Sequence, residues 1–106
     1  MSYLLTDKFD LFYDAYVECA LWTEGLTELT PQEEFQMLND CMEFMTVSYH
    51  LINKMNLSQC GHDFWLTRNG HGSGFWDRGY SVPIAAELEA ISKRFGTFDL
   101  IKEVEE

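Results

Sequence analysis

The sequence predicts one α+β domain. It has two N-terminal helices, a β-hairpin, a third helix and a C-terminal strand, and the strands form a small antiparallel sheet with helices packed on it. Three observations lead there. Apolar residues recur with helical spacing over most of residues 7–55 and again over 82–95. Between these stretches, residues 61–79 change to aromatic and β-branched residues around a glycine-rich run. A chain of 106 residues fits one domain.

The first helix is expected over residues 7–22. Phe9, Phe12, Tyr13, Tyr16, Val17, Ala20 and Leu21 follow the i, i+3, i+4, i+7 pattern, and Thr6 or Asp7 is placed to cap it. A connection carrying Gly25 follows. Thr30-Pro31-Gln32-Glu33 then reads as a capping box with proline at the first helical position. The helix it opens should run to about Met55. Phe35, Leu38, Met42, Met45, Tyr49 and Ile52 form a seam suited to packing on the first helix. Met37, Cys41, Phe44 and Leu51 form a second apolar strip, which suggests a central helix or one that self-associates.

Residues 56–60 read as a turn. The hairpin would follow over residues 61–79, with positive φ favoured at Asn69-Gly70 and along the Gly70, Gly72, Gly74 alternation. Asp63-Phe64-Trp65…Arg68 is echoed by Gly74-Phe75-Trp76-Asp77-Arg78, so two paired strands would carry matching side chains. Val82-Pro83 opens the third helix, which buries Ile84, Leu88, Ile91 and Phe95 and stops at Gly96. Residues 98–104 supply the last strand.

The net charge is −11, and it is uneven: residues 1–53 carry −9 and residues 54–106 carry −2. Direct nucleic-acid binding is disfavoured, because phosphate recognition needs a basic face. An anionic membrane surface is disfavoured for the same reason, and no apolar run approaches the length of a membrane span. The field favours a basic partner. Asp7, Asp10, Asp14 and Glu18 stack on one face of the first helix, with only Lys8 nearby. Glu33, Glu34, Asp40 and Glu43 extend the field into the second helix. Such a run is commonly a solvated face. Its functional reading is mimicry of DNA phosphates.

Cys19, Cys41 and Cys60 form no CxxC pair and read as reduced structural thiols of a cytosolic protein. The N-terminus shows no basic n-region or h-region, so a secretory leader is not expected.

A secondary candidate site lies in the hairpin, at His62, Asp63, Arg68, His71, Trp76, Asp77 and Arg78. His62, Asp63 and His71 offer three metal ligands, but without a standard zinc spacing. His71 with Asp77 would suit acid–base chemistry. The GxGxG run starts no helix, which weakens phosphate cradling. The plain structural reading has Phe64, Trp65, Phe75 and Trp76 packing the sheet. Arg68 and Arg78 then pair with Asp63, Asp77 or helix-end carbonyls, and His71 sits on an exposed loop. No cofactor is expected.

The segment from Gly61 to Gly79, GHDFWLTRNGHGSGFWDRG, resembles one found in a family of small bacteriophage proteins. Tyr16-Val17-Glu18-Cys19-Ala20-Leu21-Trp22 is similar to the same family's aromatic-x-Glu-x-Ala-Leu-Trp helix. The chain departs from the family in a short connection after Trp22 and in lacking a second glycine-rich turn in its last strand. The resemblance implies a phage or mobile-element origin and action in a host bacterial cytoplasm. It supplies no catalytic residue. Charge and resemblance together suggest an inhibitor of a host DNA-binding protein or nuclease, of anti-CRISPR, anti-restriction or uracil-DNA glycosylase inhibitor type. The alternatives are a small binding or catalytic domain centred on the hairpin, and a phage assembly component that dimerises through its second helix.

Overall fold

The computed structural model describes residues 2–70 and 74–100, and of residues 2–6, 77 and 78 the backbone only. These residues hold four α-helices: α1 (Ser2–Glu24), α2 (Pro31–Ile52), α3 (Leu57–Arg68) and α4 (Val82–Arg94). A short 3-10 helix, Gly74–Arg78, lies between α3 and α4. No strand occurs among them, so the expected α+β fold with its antiparallel sheet is corrected to an all-helical one.

The helices read from periodicity form close to where they are expected, except that α1 begins at Ser2, so Thr6 and Asp7 lie inside it and do not cap it. Helix α1 buries Phe12, Tyr16, Cys19 and Ala20 on one face. It ends in a Schellman turn. Gly25 takes φ +70° and donates to the Trp22 carbonyl, and Leu26 donates to that of Leu21. Helix α2 opens on the expected capping box, in which Glu33 N–H donates to Thr30 Oγ1 at 3.1 Å and Thr30 N–H to Glu33 Oε1 at 2.9 Å. Replacing Thr30 with alanine should cost about 1 kcal/mol in a urea melt. Helix α4 buries Leu88 and Ile91 and is followed by Gly96 at φ +73°.

The hairpin is where the reading fails. Residues 56–60, expected as a turn, begin α3 instead. The Asn56 side chain caps it by accepting from Gln59 N–H at 3.0 Å. Leu57, Cys60, Gly61, Phe64, Trp65 and Arg68 are buried at helical spacing, together with Asp63 and Thr67. This helix packs against each of the other elements. It is therefore buried over most of its circumference, and only a narrow strip of Ser58, Gln59, His62 and Leu66 is partly exposed. Gly61 is no turn residue. A Cβ there would lie 2.0 Å from the Phe12 carbonyl oxygen, so the missing side chain lets the backbones of α1 and α3 approach closely. Gly70 does take positive φ, +71°, but as the residue that stops α3. Residues 98–100 are not a strand, although Leu100 is buried, and residues 101–104 lie outside the described residues.

The core is aromatic. Phe44 and Phe64 stack at 4.1 Å between ring centroids, Tyr16 stacks on Phe64 at 5.2 Å, and Trp65 meets Tyr16 edge-on at 5.5 Å. Trp65 Nε1 donates to Thr23 Oγ1 at 2.9 Å, which satisfies the indole and ties α3 to the end of α1. On α2, Met37, Cys41 and Phe44, placed on a strip open to self-association, are fully buried, and Leu51 is half-buried. Phe35 and Met42, expected in the seam, are exposed. A pairing surface on α2 would fall to those two instead.

All three cysteines are buried and unpaired. Burial raises the Cys19 thiol to about 11 and the Cys60 thiol to about 12, and pushes Cys41 well up. Burial, with the Glu34 charge, raises Tyr13 to about 12, and burial lifts Tyr16 further. Each group ionises more readily in the unfolded chain, so the stabilisation is complete below the ordinary values of 9.0 and 10.0 and is lost above them. Near-UV circular dichroism should therefore show cooperative loss of packing as pH rises through roughly 9–11. A flat profile to pH 12 would contradict this.

Candidate functional site

The acidic face of α1 forms as the spacing requires. Asp7, Asp10, Asp14 and Glu18 are exposed, and they lie opposite the buried Phe12, Tyr16, Cys19 and Ala20. None makes an ion pair or a side-chain hydrogen bond with a described residue. Lys8, the base nearest to them in sequence, is turned to α2. It donates to the Tyr49 hydroxyl at 3.0 Å and lies 5.5 Å from the centre of that ring. Among the described residues, the face is thus left without a counter-charge of its own. It spans about 16 Å, roughly the rise of five base pairs.

The α2 acids divide. Glu34 is exposed and close enough to Tyr13 of α1 to raise its pKa, so it borders the face. Glu43 is exposed but lies about half a turn round the helix from Glu34. Glu33 is buried in the capping box. Asp40 is buried and receives Arg68 Nη1 at 2.8 Å, while its other oxygen accepts from Gln36. Neither Glu33 nor Asp40 is free to meet a partner. Charge shows the sign of a residue but not whether a base waits for it elsewhere in the chain.

The secondary candidate site is not brought together. Arg68, only 5% exposed, also donates to the Tyr16 hydroxyl at 2.9 Å, the Gly96 carbonyl at 2.8 Å and the Phe95 carbonyl at 2.9 Å. The helix-end carbonyls expected as its partners are those closing α4. Asp63 is fully buried and accepts from Gln59 Nε2 at 3.2 Å. His62 sits at the surface with Nδ1 3.8 Å from Asp63 Oδ1, too far for a hydrogen bond. Trp76 is exposed and donates to Glu89 at 2.9 Å. His71 and the side chains of Asp77 and Arg78 lie outside the described residues. No three His, Cys, Asp or Glu side chains among the described residues are grouped to hold a metal ion.

One feature of the surface was not foreseen. A groove of about 570 Å³ runs between α1 and α3, lined by Ala15, Glu18, Cys19 and Trp22 on one side and by Asn56, Ser58, Gln59 and His62 on the other. Trp22 is 77% exposed. The groove borders the acidic face through Glu18. The available signal was Trp22 itself, an indole four residues after Glu18 on a helix whose apolar side was already complete. No family model, curated protein or solved structure matches the chain.

Proposed function

We propose that this protein is an acidic inhibitor that occupies the DNA-binding channel of a nucleic-acid enzyme as a DNA mimic. The observation that carries the reading is the α1 face. Asp7, Asp10, Asp14 and Glu18 all point to solvent, and the neighbouring lysine is turned away from them. Carboxylates with no internal partner keep their whole field for a basic surface, which steers association and favours a channel built for phosphates. The resemblance to phage proteins is the support for reading that enzyme as a host DNA-binding protein or nuclease, met in the bacterial cytoplasm. A His/Asp/Arg catalytic centre gains no support, since Arg68 and Asp63 are committed inside the fold.

The test is capture of a partner from bacterial lysate, followed by competition with duplex DNA across a salt series. Changing Asp7, Asp10 and Asp14 to lysine should weaken capture about 100-fold or more at low salt. The same variant should keep its melting temperature, because all three positions are exposed and none bonds a described residue. A partner held equally well by the triple variant, or one that DNA fails to displace, would sink the reading.

A further inference from the structure

The groove between α1 and α3 has a chemistry more specific than the acidic face beside it. It is open to solvent, with a volume of about 570 Å³, a shallow seat on the scale of one side chain rather than an enclosed cavity. Glu18 is the carboxylate among its lining residues, and Trp22 stands one helical turn further along the same edge of α1. Side chains at i and i+4 are neighbours. An indole face and a carboxylate are therefore presented together. The opposite wall offers the Ser58 hydroxyl, the Gln59 amide and the His62 ring.

This combination selects a planar cation. A guanidinium stacks on an indole and pairs with a carboxylate in two parallel hydrogen bonds, whereas an ammonium is better hydrated and makes neither contact as well. The first turn of α3 also borders the groove and on its own would attract an anion. Asn56 already caps it, however, and Glu18 together with the exposed Asp14 opposes negative charge. An indole left 77% exposed beside such a groove is also the type of residue that dominates binding energy once covered.

We propose that the groove seats an arginine side chain of the basic partner, with Glu18 and Trp22 as its anchors. This rests on the acidic-inhibitor reading and adds the contact that would set register within the acidic field.

The test is a titration of the ¹⁵N-labelled full chain with three peptides of alternating glycine and arginine, lysine or citrulline. The arginine peptide should shift the Trp22 indole N–H and the Ser58 and His62 amides saturably. The lysine peptide should bind several-fold more weakly, and the citrulline peptide should leave these signals in place. Glu18→Gln should weaken the arginine peptide about tenfold and Trp22→Ala about fivefold. Both positions are exposed, so melting temperatures should hold. Shifts confined to Asp7, Asp10 and Asp14 would overturn the groove while leaving the acidic face intact. Equal binding of the three peptides would also overturn it. Failure of the broader reading shows elsewhere, as partner capture that the Asp7, Asp10 and Asp14 reversal leaves unchanged.

Discussion

Replacing Arg68 with alanine is expected to cost about 3–5 kcal/mol, most of the stability of a domain this size. The guanidinium is buried where four helices meet. It pairs with Asp40 of α2, bonds Tyr16 of α1, and reaches the Phe95 and Gly96 carbonyls that close α4. It also lies 5.2–5.7 Å from the ring centres of Phe64, Phe95 and Phe98. Taking such a group out of water is costly, and only a full set of partners offsets the loss. The carbonyls at the end of α4 help, because the C-terminus of a helix is the negative end of its dipole. Removing the arginine leaves Asp40 as a buried carboxylate with Gln36 alone, and the α4 carbonyls lose their donors.

The melting temperature should then fall by roughly 15–25 °C. Arg68→Lys keeps the charge but cannot reach Gly96, Phe95 and Asp40 at once, so its loss should be intermediate. The double change Arg68→Met with Asp40→Leu should recover much of the stability, since apolar replacements of a buried pair often do. Urea denaturation of the four proteins decides the matter. An Arg68→Ala protein within about 1 kcal/mol of the parent would show that the network does not hold the helices together.

The same residue explains what could be read in advance. Helices α1, α2 and α4 each have one buried face and one wet face, and each begins or ends on a cap or glycine visible in the sequence. Helix α3 has a cap in Asn56 and a stop in Gly70 but lacks the clear contrast of faces. Asp63, Thr67 and Arg68 are buried among Phe64 and Trp65 while Ser58, Gln59 and His62 are partly exposed, so polarity does not separate its two sides. Its glycines then favour a hairpin by composition, and only tertiary packing overrides that preference. The acidic face was legible because it depends on one helix. The burial of Asp40 was not, because its partner lies 28 residues further along. The groove was hidden for the same reason, since its two walls are set by how closely α1 and α3 approach.

That approach is what Gly61 controls, and Gly61→Ala is the second large effect expected. In an exposed helix the change would gain about 1 kcal/mol from propensity. Here the added Cβ would meet the Phe12 carbonyl oxygen at 2.0 Å and its carbon at 2.9 Å. Both are backbone atoms, so no side chain can swing aside. Relief requires α1 to move away from α3, which loosens the contacts of Phe12 and Tyr16 with Phe64 and Trp65. Overpacking of this kind should outweigh the propensity gain and leave a net loss of about 2–3 kcal/mol. Gly25→Ala is the control, with open space at its Cβ but φ +70°, and it should cost only about 1 kcal/mol. The two helices Gly61 holds together are also the walls of the groove. Gly61→Ala should therefore weaken the arginine peptide even though Glu18 and Trp22 are untouched, whereas Gly25→Ala should weaken it less. A Gly61→Ala protein as stable as the parent would mean that α1 and α3 do not meet at the distance on which both the core and the groove depend.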